Sequence, residues 1–319
     1  MKHLERDREH PRSASAARRF ALGAIADDGI VLDLVTGNTY RARASALVAF
    51  RELARGRGVG SAADALAREY DVPRERALAD VRALIARSMT SPAKEERPVS
   101  FEAVKNGFVM SMSGRRVLRA DDETGRVSGK HTPDILRAAA PHVLTLQGHT
   151  VLHAAAVSGP SGVIAFVGPS GVGKSTLART FAQEGYGPVS DDLVVLGPRR
   201  RVILDAERAL RDWTKIAGRR PLSPLAGAHR RTAPLAKVFV VTRGARGSPP
   251  AITPLRGGDA ISALLENAFV EIPDRTVWRR ALAGSTRLAA AELVGRLRIP
   301  HGLGAMARAV RSIAPRLRA

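Results

Sequence analysis

The sequence predicts a small α+β domain followed by a larger α/β domain that is built around a phosphate-binding loop. Three observations support this division. The chain has 319 residues, which is enough for two domains of ordinary size. Residues 91–98 are rich in proline and charge, as is typical of a linker. The apolar segment Val163–Val167 leads into a glycine-rich loop, an order that predicts strand, loop and helix. We therefore expect a flexible arm at 1–24, a domain at 25–90, the linker, and a second domain at 99–319.

Composition narrows the class of protein. The net charge is +21, and most of the excess lies after residue 90, which favours anionic partners or a solvated, arginine-rich surface. Aromatic residues do not interleave with the arginines, so nucleic acid is not an expected partner. The absence of cysteine excludes disulfides, zinc–thiolate sites and cysteine nucleophiles. No signal peptide and no apolar run of about 18 residues is visible, so we expect a cytoplasmic protein outside the membrane.

The first domain is predicted to contain two strands and three helices. The strands are Ile30–Leu34 and Thr39–Ala42, and the residues between them suit a hairpin turn. Ser45 is expected to cap the first helix, and Ser61 with an acidic residue three positions later resembles a capping box for the second. The third helix follows Pro73 and has an apolar face.

The second domain is predicted to alternate strands and helices. The expected strands are Phe108–Met112, Val117–Ala120, Val151–Val157, Val163–Val167, Leu193–Leu196, Val202–Leu204 and Val238–Val241. The expected helices are Asp134–Gln147, a helix after the glycine-rich loop to about Glu184, Ala260–Phe269 and Leu303–Ile313.

The glycine-rich loop, residues 168–175, matches G-x-x-x-x-G-K-[ST] at every fixed position. Its glycines allow successive backbone N–H groups to face phosphate oxygens, and the following helix adds its positive end. Lys174 is expected to reach the β- and γ-phosphates of ATP, and the Ser175 hydroxyl to bind Mg²⁺. The expected nucleotide contacts are Gly168, Ser170, Gly171, Val172, Gly173, Lys174, Ser175 and Thr176.

A phosphate site of this kind needs a carboxylate, and the sequence offers two candidates. Asp205 closes a short apolar strand, which is the ordinary position for a metal-binding acid. Asp191 and Asp192 precede an apolar run, and such a pair can divide metal binding from proton acceptance or form a solvated turn. His153, one strand before the loop, is either a site residue or an ordinary strand histidine.

Several of these residues together resemble the catalytic domain of HPr kinase. The resemblance covers about residues 100–319 and rests on Leu152–Ala156 with its histidine, the loop at 168–175, the run 190–192, and the later runs 234–241 and 296–300. It is strongest to the shortened HPr-kinase-like enzymes found with ribosomal peptide natural products, lasso peptides among them. It implies an α/β P-loop kinase domain in which Lys174 is catalytic.

The same resemblance implies roles for the acids. Asp191 is the implied base for the acceptor hydroxyl, and Asp192 is the implied metal-site acid, contacted by His153. Ser175 and Asp192 would then bind Mg²⁺. The glycine-rich signature of true HPr kinases and a further metal-site acid are not found downstream. Asp205 and Glu207 are the candidates to replace that acid.

Residues 25–90 resemble a PqqD-like leader-peptide recognition domain with a winged-helix-like α+β fold. The resemblance rests on the runs 28–33, 36–40 and 65–72 and on the last helix. It implies that the leader of a precursor peptide binds as an added strand, wedged against the last helix. A generic small winged or three-helix domain is the alternative.

The leading hypothesis is therefore a Ser/Thr kinase for a precursor peptide. A non-catalytic, ATP-switched peptide carrier and a kinase for a small-molecule hydroxyl are the alternatives, and a nucleic-acid ATPase is weaker than both. Arg199, Arg200 and Arg201 either attract a peptide carboxylate or product phosphate, or form a solvated turn. The resemblance also leaves a homo-oligomer open.

Overall fold

The computed structural model describes residues 19–88, 99–121, 127–129, 132–216, 225, 231–245 and 248–317. Residues 1–18 of the expected arm and the expected linker lie outside this range. The chain divides into two compact units, residues 1–94 and 95–319. None of the described helices combines the length and apolarity needed to cross a bilayer.

The first unit contains a three-stranded antiparallel sheet of β1 (Phe20–Ile25), β2 (Asp28–Asp33) and β3 (Thr39–Arg43), with β2 in the centre. The presence of β1 corrects the sequence prediction, which assigned residues 1–24 to a flexible arm. Phe20 instead lies opposite Asp33 and packs edge-to-face on Phe50, with 5.2 Å between the ring centroids. The contact between the two phenylalanine rings and the pairing of β1 with β2 therefore order this segment.

Three helices complete the first unit: α1 (Ala44–Ala54), α2 (Val59–Tyr70) and α3 (Arg74–Ser88). Neither predicted cap is present. Arg43 precedes α1 without a side-chain cap, and α2 begins one residue after Gly58, which leaves Ser61 inside the helix. The apolar face predicted for α3 is observed, since its members join a core that also includes residues of β1, β2, α1 and α2.

A buried ion pair links the residue before β1 to the end of the central strand β2. Asp33 is fully buried and accepts hydrogen bonds from the Arg19 guanidinium, the Val35 N–H and the Thr36 hydroxyl. Burial alone would raise the pKa of Asp33, but these donors outweigh it and hold the pKa below its usual value. The pair therefore stabilises the fold above the ordinary aspartate pKa and loses that contribution as the pH falls through the lowered value.

The second unit begins with a four-stranded antiparallel sheet, ordered along the chain as β4 (Val99–Val104), β5 (Gly107–Met112), β6 (Arg115–Asp121) and β7 (Val127–Gly129). Helix α4 (Pro133–Leu146) follows, with the Thr132 hydroxyl accepting from the Ile135 N–H. This helix lies where the sequence predicted it, with Pro141 inside.

An eight-stranded mixed sheet forms the body of the second unit. Its strands are β8 (Thr150–Gly159), β9 (Gly162–Val167), β10 (Gly187–Ser190), β11 (Leu193–Leu196), β12 (Arg201–Ile203), β13 (Thr232–Arg243), β14 (Ala251–Pro254) and β15 (Val294–Ile299). β9, β13 and β15 are parallel, whereas β8 pairs antiparallel with β9 and β11. The carboxyl ends of the three parallel strands meet at one edge, which is where ligands bind in sheets of this type.

Five helices accompany this sheet: α5 (Lys174–Gln183), α6 (Ala206–Ile216), α7 (Gly257–Leu265), α8 (Arg275–Ala290) and α9 (Leu303–Ile313). α7 ends before Phe269, the predicted end, because Phe269 N–H donates to the Val151 carbonyl in the sheet. The sequence did not predict α6 or α8. Asp274 caps α8 through the N–H groups of Thr276 and Val277.

Candidate functional site

The glycine-rich loop joins β9 to α5 in the order that the sequence predicted. Gly168 and Gly173 have φ values of 141° and 104°, and residues other than glycine rarely adopt this backbone conformation. A Cβ on Gly173 would lie 2.4 Å from an Arg243 guanidinium nitrogen, so a side chain there would displace the end of Arg243. Gly173 directly precedes α5, and the free N–H groups of the first helical turn follow it.

Lys174 folds back over the loop. Its Nζ donates to the Gly168 carbonyl at 2.8 Å and the Pro169 carbonyl at 3.3 Å, and the residue is buried. Burial lowers the pKa of Lys174, and the negative charge of Asp192 partly opposes that shift. The same electrostatic interaction shows that Asp192 lies near the loop.

Asn267 and Arg243 support the loop, and sequence reasoning missed both. The Asn267 side chain accepts from the Gly168 N–H and donates to the Ala263 carbonyl, both at 2.8 Å. Its main-chain carbonyl accepts from the His153 N–H, so this residue connects the loop to β8. Arg243 ends β13 and donates to the Pro300 carbonyl at 3.0 Å. No local motif signals these roles, because the contacts with Gly168, His153 and Pro300 join residues that are distant in sequence.

The two adjacent acids lie in the turn between β10 and β11, beside β8. His153 Nε2 is 2.9 Å from Asp192 Oδ1, and the Ala154 N–H donates to the Asp192 carbonyl. Asp191 Oδ2 accepts from Arg179 on α5 at 3.2 Å. The side chains of Asp191 and Asp192 are 53% and 81% exposed, so both carboxylates are accessible to a ligand.

Glu207, on α6, holds this turn in place. Its Oε1 lies 2.7 Å from the Ser190 hydroxyl, 2.8 Å from the Asp191 N–H and 3.2 Å from the Asp192 N–H. The sequence offered Glu207 and Asp205 as further metal-site acids. Oε1 of Glu207 is engaged by the three donors of the turn. Oδ1 of Asp205 is buried and, within the described part of the chain, has no hydrogen-bond partner.

We predict that Glu207→Ala lowers the rate of any reaction that uses the acid pair by about 10- to 100-fold while ATP binding is retained. The variant leaves two main-chain N–H groups without their acceptor, so the two carboxylates lose their fixed position. Kinetics and nucleotide titration separate the two effects. Glu207→Gln keeps one acceptor oxygen and should recover part of the rate; equal loss in both variants would contradict a positioning role.

A pocket of about 650 Å³ opens beside the acid pair. Its lining combines carboxylates and arginines with an apolar surface: Asp134, Arg137, Ala138, Ala140, Pro141, Asp191, Asp192, Leu193, Glu207, Leu210, Arg211 and Phe269. A pocket with this mixture can hold an apolar group while it presents a polar one to the acids.

The residues proposed for Mg²⁺ are Ser175, at the start of α5, and Asp192. Within the described ranges, no group of three or more His, Cys, Asp or Glu side chains could hold a metal ion by itself. Mg²⁺ is commonly bound by one or two protein oxygens together with substrate phosphates. The exposed Asp192 carboxylate near the phosphate loop fits that mode.

The first unit presents a separate candidate site. β3 pairs with β2 and is an edge of the three-stranded sheet. A groove of about 320 Å³ lies between the helices of the first unit. It is lined by Ser45, Ala46, Ala49, Leu66, Tyr70, Val72, Arg76, Asp80, Val81, Leu84 and Arg87. Tyr70 remains 43% exposed there, so the groove offers an aromatic surface to a partner.

These features define a small α+β domain followed by a mixed α/β domain that carries a glycine-rich loop and an acid pair. Residues 28–89 match the family model described as coenzyme PQQ synthesis protein D (PqqD), so the first unit contains a PqqD domain. Among the curated proteins, no match to the chain was found.

One solved structure, the Hpr(Ser) kinase/phosphatase from Coxiella burnetii, aligns with 53% of this chain and 99% of its own chain. The two are 11% identical, and the TM-score is 0.24. A TM-score this low does not establish a shared fold.

Proposed function

We propose that the protein is an ATP-dependent kinase that transfers the γ-phosphoryl group to a Ser or Thr hydroxyl of a ribosomally made precursor peptide. One observation carries the proposal: the acid pair lies beside the phosphate loop, with Asp191 bonded to Arg179 of the helix that follows the loop and Asp192 bonded to His153 on β8, the strand paired with β9. A phosphate-binding loop alone suits kinases, hydrolases and switches. An accessible carboxylate pair beside it suits phosphoryl transfer to a hydroxyl.

In this proposal the oxygen of the acceptor hydroxyl attacks the γ-phosphorus, the bond to the β,γ-bridging oxygen breaks, and ADP leaves. Asp191 takes the proton of the hydroxyl. Lys174 and the N–H groups of the loop bind the phosphate oxygens, and Asp192 is oriented by His153. Mg²⁺, bound by Ser175 and Asp192, would neutralise developing phosphate charge.

The pocket beside the acids is the proposed acceptor site. Its apolar residues, among them Pro141, Leu210 and Phe269, suit a side chain next to the accepting Ser or Thr. The peptide would thus be held by apolar contact while its hydroxyl faces Asp191.

The PqqD domain supports a peptide as the partner. We propose that the leader of the precursor pairs with the open edge of β3 and places apolar side chains in the groove against α3. Holding the leader raises the effective concentration of the attached acceptor, which explains why both units share one chain.

We predict that Leu84→Asp weakens leader binding by about tenfold or more and leaves ATP binding unchanged. Leu84 lines the groove, and a charge there would have to be desolvated by an apolar leader residue. Ala86→Asp is the matched control, because Ala86 lies on the same helix, is exposed and does not line the groove. Fluorescence anisotropy with a labelled leader measures the leader affinity of both variants. An equal loss of affinity in Leu84→Asp and Ala86→Asp would contradict the assignment of the groove as the leader site.

Intact mass spectrometry of the candidate precursor tests the function directly. The peptide encoded nearest to the gene is incubated with the protein, ATP and Mg²⁺, and we expect a gain of one or more phosphate masses. Capture of peptide and ATP without a mass gain would favour the carrier alternative. Transfer to a small hydroxyl compound, independent of the first unit, would favour the small-molecule kinase.

A further inference from the structure

A second pocket of the α/β domain, about 590 Å³ in volume, carries a concentration of positive charge. Three arginines line it: Arg199, Arg200 and Arg287. The remaining lining residues are Gln147, Gly148, His149, Thr150, Leu196, Gly197, Gly284 and Leu288, so no carboxylate is among them. We will call it the arginine pocket.

The arginine pocket is separate from the acid pair, although Arg199 and Arg200 are close to it in sequence. β11 pairs with β8 so that Leu193 lies opposite His153 and Leu196 lies opposite Thr150. Three residues of strand span about 10 Å. The acids precede Leu193 at one end of β11, and the arginine pocket begins at Leu196 at the other. Arg201, the third member of the run, donates instead to the Thr232 hydroxyl and carbonyl.

Backbone conformation brings the arginines together. Arg199 and Arg200 both have positive φ, 54° and 58°, which is uncommon for residues other than glycine. The left-handed backbone conformation is energetically unfavourable for an L-amino acid, and residues that adopt it are concentrated at functional sites. Here they direct two consecutive side chains to the pocket that Arg287 of α8 also lines.

Part of the pocket lining consists of glycine residues. Gly148, Gly197 and Gly284 line it, and a Cβ on Gly284 would lie 2.7 Å from the Thr150 hydroxyl. A fourth guanidinium, that of Arg280, lies 3.8 Å from where a Cβ on Gly148 would be, while it donates to the Leu146 carbonyl. The concavity therefore combines the three arginines that line it with room for a small molecule.

We propose that the arginine pocket binds a small polyanion with two or more phosphate or carboxylate groups. Guanidinium groups form paired, charge-assisted hydrogen bonds with either kind of oxyanion, and like charges held together without a carboxylate gain most from such a ligand. The volume exceeds what a single phosphate needs and suits a metabolite-sized compound. This inference does not depend on the proposed kinase activity.

Isothermal titration of the full chain with pyrophosphate and, separately, citrate tests the pocket. Both titrations are made in the Lys174→Ala background, which weakens binding at the glycine-rich loop, and at constant ionic strength. We expect binding of at least one probe, weakened about tenfold or more by Arg287→Gln. The stronger probe distinguishes a phosphate from a carboxylate ligand. Arg279→Gln, which removes an exposed charge from the same helix, should leave the affinity unchanged.

Arg200→Gln provides an independent second variant in case Arg287→Gln fails to fold, and thermal unfolding without a probe monitors folding. Similar weakening by Arg279→Gln and Arg287→Gln would mean that the general positive field binds the anions. That result, or no binding of either probe, would overturn the proposal.

Discussion

Asp191→Asn is expected to lower the rate constant of phosphoryl transfer by about a thousandfold while ATP binding changes little. Asparagine has nearly the same shape, so the turn and its hydrogen bonds to Glu207 through main-chain N–H groups should persist. The amide cannot take a proton from the acceptor hydroxyl, and loss of a general base typically lowers rates by about 10²- to 10⁴-fold. Single-turnover kinetics and nucleotide titration measure the two quantities.

The control for this variant is Asp71→Asn, which makes the same chemical change at an exposed residue of the first unit. Asparagine also tolerates the left-handed conformation of that residue. Asp192→Asn provides a second comparison. This variant should lower the rate of phosphoryl transfer and also make that rate less dependent on Mg²⁺, because Asp192 is the proposed metal-site acid. Full transfer by Asp191→Asn would mean that Asp192 or Asp205 is the base.

The sequence predicted the structure best where one contiguous segment determines it. The loop around Lys174 was predicted because a strand, fixed glycines and a helix start lie within a short stretch. The third helix of the first unit was predicted for the same reason, since its apolar periodicity is local. The contact between His153 and Asp192 followed from resemblance, and the structure has it at 2.9 Å.

Contacts between distant residues were not predictable in this way. Asn267 reaches Gly168 across 99 positions and Arg243 reaches Pro300 across 57. The role of Glu207 depends on α6, a helix that the sequence did not predict. Strand β1 was also missed, because Phe20–Ile25 alternates weakly and is ordered by tertiary contacts with Phe50 and Asp33.

Proximity along the chain does not determine which site a residue joins. The three arginines at 199–201 follow the acid pair closely, and the sequence leaves open whether they attract a peptide carboxylate or product phosphate or form a solvated turn. The left-handed residues instead place Arg199 and Arg200 in the arginine pocket, at the other end of β11. The direction of a tight turn depends on φ and ψ values that composition alone does not specify.

Lys174→Ala is expected to reduce phosphoryl transfer by at least about 10²- to 10³-fold, with weaker ATP binding. The ammonium group is the one buried cation among the described residues of the loop, and it lies over the carbonyls of Gly168 and Pro169. A preorganised charge at a transferring phosphoryl group typically contributes an effect of this size. Lys237→Ala is the control, because it removes the same charge from neighbouring β13.

The pH dependence distinguishes a role of the charge from a structural role. Burial lowers the pKa of Lys174, so without nucleotide this residue loses its proton at a lower pH than an exposed lysine. ATP affinity should therefore decrease on the alkaline side in the wild-type protein, starting below the ordinary lysine pKa. Lys174→Ala should lack that decrease, since it has no proton to lose there. An identical alkaline profile in both proteins, or full transfer by the variant, would contradict the assignment of Lys174 to the phosphates.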